Sequence, residues 1–107
     1  MNNLPYYPIS RKTKQIATVL GVKVRPSTDR LHKIDVLDWN GNYICSIGDL
    51  GYSDYFLYTK LENWGLLPKG TARKRRMYYI KRHYKEANNI GSKGYYALAL
   101  LWDYIKE

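Results

Sequence analysis

The chain has 107 residues and a formal net charge of +9, with twelve Tyr, three Trp and a single Phe. That length holds one hydrophobic core rather than two, and the charge points to polyanions, with nucleic acid ahead of an anionic membrane surface or an acidic protein surface. The lone cysteine, Cys45, excludes an intramolecular disulfide and a Cys-based zinc cluster and fits a reducing compartment.

Charge is segregated along the chain. Residues 1–33 carry +6, residues 34–68 carry −4 and residues 69–107 carry +7. Pro5, Tyr6, Tyr7 and Pro8 oppose regular structure, and Arg11, Lys12 and Lys14 follow. Residues 1–14 are therefore expected to form an extended basic arm that docks on a partner, ahead of one α+β domain over 15–107. The start of the chain lacks the charged-then-apolar pattern of an export signal, so secretion is not expected. No apolar run approaches the roughly 20 residues of a membrane span, so membrane insertion is not expected either.

Ile16 to Leu20, then Val22 and Val24, are apolar and mostly β-branched, which predicts a strand kinked at Gly21. Asn40-Gly41 between Leu31–Trp39 and Asn42–Ile47 predicts a hairpin with a type I′ turn, both turn residues having positive φ. Its register pairs Trp39 with Asn42, Leu37 with Ile44, Val36 with Cys45 and Ile34 with Ile47. Both faces are partly apolar, so both should be covered.

After a tight bend over 48–55, Ser53 or Asp54 is placed to cap a short helix ending near Asn63. A loop follows over 64–70. Thr71 is expected to cap a longer helix over about 72–88, its apolar face formed by Met77, Ile80, Tyr84 and Ala87. Gly91-Ser92 opens a last helix, largely buried, with Tyr95, Leu98, Trp102 and Ile105 on one face. The expected fold is thus α+β: a small antiparallel sheet that includes the 31–47 hairpin, packed by two C-terminal helices.

Placed on a helical wheel of about 100° per residue, the 72–88 segment sets Lys74, Arg75, Lys81, Arg82 and Lys85 in one sector with Tyr78 at its centre. No acid lies within that sector. Like charges at i,i+4 cost a few tenths of a kcal/mol each, about 0.2–0.5. Phosphates along a nucleic-acid backbone would relieve that repulsion. A salt-bridge role, with the acidic middle block as neighbour, and plain solvation are the alternatives. Arg73, Arg76 and His83 flank the apolar face and are expected to pair with carboxylates at the core edge.

Nothing in the sequence forms a convergent catalytic cluster. His32 and His83 lie in different elements, and Cys45 reads as a small buried hydrophobe. Asp35, Asp38, Asp49 and Asp54 follow no metal-ligand spacing. Binding rather than catalysis is expected, with no metal, cofactor or small-molecule substrate.

The order of Ser46 to Tyr55, Arg73 to His83, Gly94 to Leu98 and the closing Leu100-Leu101-Trp102 resembles a family of small uncharacterised proteins of giant DNA viruses and some tailed phages. Their pattern is a hairpin, an FGD-like turn with a following D-Y, a basic R-x-x-Y-x-x-R-H helix and a closing L-W. Ile47 stands where that pattern has Phe, and the stretch 56–70 is longer. The resemblance covers about residues 31–102 and carries no established activity. It implies a viral setting, in the virion or in host cytoplasm or nucleus. The leading expectation is a DNA- or RNA-binding protein using Lys74, Arg75, Tyr78, Lys81, Arg82 and Lys85. The alternative is a minor capsid-associated protein that knits larger subunits together through Tyr6, Tyr7, Arg11, Lys12 and Lys14.

Overall fold

A computed structural model describes residues 7–105. Four helices and three strands follow in the order α1 (Arg11–Leu20), β1 (Lys23–Pro26), β2 (His32–Leu37), β3 (Tyr43–Asp49), α2 (Tyr55–Asn63), α3 (Thr71–His83) and α4 (Lys93–Trp102), with a 3-10 turn over Tyr84–Asn88 between the last two. The sheet is antiparallel in the order β1-β2-β3. The fold is α+β as expected, and the segments beyond the hairpin supply three of its helices.

The N-terminal expectation is corrected. Tyr6 lies outside the described residues, but Tyr7 is buried in the core and Arg11–Leu20 is a helix rather than arm and strand. Ser10 caps it by accepting from the N–H of Thr13 at 3.0 Å, a contact worth about 1 kcal/mol. Thr13, Ile16 and Ala17 form its buried side, at helical spacing. Gly21, at φ 75°, ends it in the left-handed region, where a side chain would be strained. The β-branched residues of this stretch thus serve a helix whose ends are both capped. Only Lys23–Pro26 remains as strand, paired with β2.

The hairpin keeps its predicted body and changes its turn, but it is not covered on both faces, since Trp39 and Ile44 are exposed. Gly41 has φ 87°, while Asn40 is absent from the positive-φ residues, so the turn is not type I′. The N–H of Gly41 donates to Asp38 O at 3.0 Å and the N–H of Asp38 to Asn42 O at 2.8 Å, closing a three-residue loop over 39–41. Asp38 Oδ1 also accepts from the N–H groups of Asn40 and Asn42, which fixes the chain in this alternative. The longer loop moves Leu37 opposite Tyr43. A bulge beside Val36 then restores the expected partners, Val36 with Cys45 and Ile34 with Ile47.

Ile34, Val36 and Ile47 are fully buried and pack with Ile16, Ala17, Val22 and the α4 residues Tyr96, Ala99, Leu100, Leu101 and Trp102 in one core. The other side of β2 is buried too, but with polar residues. Asp35 accepts from Ser46 Oγ at 2.7 Å and Arg25 Nε at 3.2 Å. Lys33 Nζ lies 2.9 Å from Asp54 Oδ2. Asp54 is the N-cap of α2, its Oδ1 accepting from the N–H of Leu57, and Tyr7 O–H donates to its Oδ2 at 2.6 Å. One carboxylate therefore starts a helix, neutralises a buried lysine and anchors the N-terminal segment.

Candidate nucleic-acid interface

The helix that carries the basic face is held at its start by a neighbour. Gly70 occupies its N-cap and offers no side chain. Instead Glu62 of α2 accepts from the N–H of Ala72 at 2.9 Å, and that bond holds the Glu62 carboxyl below its usual range. Thr71, expected as the cap, is the first helical residue and donates to Pro68 O.

The inward side of α3 differs from the one expected. Met77 and Tyr84 are exposed, at 59% and 49%. The line turned to the core is Ala72, Arg76, Tyr79 and His83, again at spacings of four, three and four. Tyr79 stacks on Trp102 of α4 with centroids 4.3 Å apart and planes 8° from parallel, and His83 stacks on Tyr79. Arg76 donates to Trp102 O at 2.8 Å and Asp103 O at 2.6 Å, so it pairs with the carbonyls that end α4 rather than with a carboxylate. His83 does bond a carboxylate, Glu86, at 3.0 Å. Flat polar side chains decide this packing, since a ring stack combined with two charge-assisted hydrogen bonds outweighs burying one methionine. The helix also tightens earlier than expected, changing to a 3-10 turn after His83. Arg76, Tyr79 and His83 are residues that fit the R-x-x-Y-x-x-R-H pattern; here Arg76 and Tyr79 hold α3 to the end of α4, and His83 stacks on Tyr79.

That seating turns the expected face outward. Lys74, Arg75, Tyr78, Lys81 and Arg82 are all exposed along α3, and Lys85 is exposed on the turn that follows. None of these five cations forms an ion pair among the described residues. The acidic middle block does not act as their neighbour. Asp35 is engaged by Arg25, Asp54 by Lys33 and Glu62 by the α3 backbone, while Asp38 is used within the hairpin loop and Asp49 accepts from the N–H of Gly51. The helix dipole favours Lys81 and Arg82 in the last turn, but disfavours Arg73 and Lys74 in a first turn that contains no acid.

The arm residues separate. Tyr7 is buried against Lys33, while Arg11, Lys12 and Lys14 lie exposed on the outer side of α1.

Along one edge of α3, Arg75, Tyr78 and Arg82 form the wall of a cleft of about 950 Å³. Its other walls come from the start of β2, from Tyr52 in the loop after β3 and from the first turn of α4. His32 in that wall bonds Asp29 through Nδ1 at 2.7 Å, and Lys93 Nζ approaches its Nε2 at 3.4 Å. Neither Tyr52 nor Lys93 is singled out by local sequence pattern, because their place in the cleft depends on the packing of α3 and α4 around the sheet.

Among the described residues no group of three or more His, Cys, Asp or Glu could hold a metal ion, and no helix is long and apolar enough to cross a membrane. Burial pushes the Cys45 thiol above its ordinary range, which disfavours a reactive thiolate. No protein-family model, curated protein or solved structure matches the chain.

Proposed function

We propose that this protein binds nucleic acid without catalysing a reaction on it, through phosphate contacts from the exposed side of α3. The observation that carries the reading is the five-cation face of Lys74, Arg75, Lys81, Arg82 and Lys85, which surrounds Tyr78 and is in no ion pair among the described residues. A helix that only needed solubility would mix signs on that face, and one that packed on the protein's own acids would use Asp29, Asp35, Asp54 or Glu62, which are engaged elsewhere. Phosphates would supply the missing counter-charge and release condensed ions on binding. The setting proposed is viral, on the order of motifs. Within it genome contact is favoured over capsid-knitting, because Tyr7 of the would-be docking arm lies in the core.

The test is binding of the full chain to random-sequence oligonucleotides across a salt series. Wild type should show affinity that falls steeply with salt. Replacing Lys81 and Arg82 with Gln keeps helix propensity and should reduce the slope of log affinity against log salt by about 0.7–0.9 per lost phosphate contact. Salt-insensitive binding, or none, overturns the reading. Unchanged binding by the double variant would move the contact to another surface, and the exposed Arg11, Lys12 and Lys14 of α1 would be examined next.

A further inference from the structure

The cleft beside α3 differs in kind from the helix face that borders it. Two large aromatic side chains from separate elements, Tyr52 at 74% exposure and Tyr78 at 48%, stand on its walls. Exposed tyrosine rings are not explained by the core, which is complete without them. Four cations also line the cleft: Lys33 is paired with Asp54, while Arg75, Arg82 and Lys93 are in no ion pair among the described residues. Its three carboxylates are all engaged: Asp49 accepts from the N–H of Gly51, Asp54 from Lys33 and Glu86 from His83. The cleft is therefore concave, aromatic and positively charged.

We infer that this cleft takes an unpaired nucleobase, stacked on Tyr52 or Tyr78, while Arg75, Arg82 and Lys93 hold the flanking phosphates. The ligand of the basic face is then single-stranded nucleic acid, an inference that rests on the nucleic-acid reading above. Duplex offers only phosphates and groove edges to an exposed helix and keeps its bases stacked on one another. A single strand offers a flat ring and a phosphate together, which is what a cationic groove with aromatic platforms recognises. At about 950 Å³ the space lies in the range of pockets that enclose small organic ring systems.

The experiment titrates the full chain into labelled dT15, labelled rU15 and a 15-base-pair duplex, comparing wild type with Tyr52→Ala, Tyr78→Ala and the corresponding Phe variants. Both rings are largely exposed, so circular dichroism should show the wild-type fold throughout. Wild type should bind a single strand more tightly than duplex. At least one Ala variant should lose about 5- to 150-fold on the single strand, the equivalent of one base–aromatic stack. Its Phe counterpart should restore binding, and duplex affinity should stay unchanged. A loss confined to dT15 or to rU15 supports the inference and assigns the sugar. Equal losses on duplex and single strand, or no loss on either, overturn it while leaving phosphate binding intact. No binding to any of the three probes overturns the nucleic-acid reading itself.

Discussion

Lys33 Nζ sits 2.9 Å from Asp54 Oδ2, and the two side chains are only 3% and 1% exposed. The lysine lies in a strand of otherwise ordinary composition, and the aspartate is the first capping residue after a bend. A buried pair of this kind adds little over two well-packed apolar residues, but removing one partner strands the other charge. Asp54→Asn preserves an oxygen for the Leu57 cap but removes the charge and the Oδ2 acceptor that Lys33 shares with Tyr7, so it breaks the cluster while keeping the cap. We expect a loss of about 3–5 kcal/mol in urea unfolding, a large part of the 5–15 kcal/mol typical of a domain. Lys33→Met should cost a similar amount. A loss below about 1 kcal/mol for both would show that the pair is not closed in solution.

Tyr7 completes that cluster and makes stability fall in alkali. Burial and the adjoining Asp54 carboxylate raise its phenol far above the ordinary value near 10. Below that value both folded and unfolded chains keep the proton. Above it the unfolded chain releases the proton first, so each pH unit beyond about 10 removes up to about 1.4 kcal/mol on account of this group. Tyr79 and Tyr96 are raised by burial in the same direction. Tyr7→Phe should therefore be less stable than wild type at neutral pH and lose stability less steeply between pH 10 and 12. Parallel curves for the two proteins would rule this out.

At the hairpin the two turn residues should respond oppositely. Asn40→Ala keeps an ordinary backbone angle and should change stability by less than about 0.5 kcal/mol. Gly41→Ala meets no neighbouring atom but must hold φ 87°, which costs about 1–2 kcal/mol. Comparable losses at both positions would restore the type I′ turn.

Gly48 is constrained by space as well as by angle. It has φ 77°, and a Cβ there would stand 2.8 Å from Leu101 Cδ1 and 3.0 Å from Lys33 Cδ. Gly48→Ala must push aside the Leu101 side chain and crowd that of the buried lysine. We expect a loss of about 1–3 kcal/mol from crowding alone, with added strain from the angle, read as a lower unfolding midpoint. Wild-type stability in this variant would show that α4 sits farther from β3.

The β2–β3 hairpin, a cap at Ser53 or Asp54 for the 55–63 helix and the Ser92 start of α4 were legible because each depends on near neighbours in the chain. The residues Ile16 to Leu20 were not, since β-branched composition suits a strand and the helix is selected by Ser10, Gly21 and the docking of Thr13. The direction of α3 was half legible. Its outward cations followed from the absence of acids among them, but its inward line is set by Trp102 and by the carbonyls at the end of α4, which no helical wheel contains. Lys33 gave no signal as a core residue, because its partner lies 21 positions away. Tyr52 and Lys93 entered the cleft for the same kind of reason.

Thr13 Oγ1 donates to Leu100 O at 2.9 Å across 87 positions of sequence. α1 thus docks on α4, and the strands between them have no complete core until both are present. During synthesis α1 and the hairpin leave the ribosome well before α4 exists, so the nascent chain holds exposed apolar strands without a lid. Closure then comes after translation of α4, through contacts between residues far apart in the chain, the kind that slows folding. Any chain released before Leu100 would remain an unfinished and strongly cationic fragment.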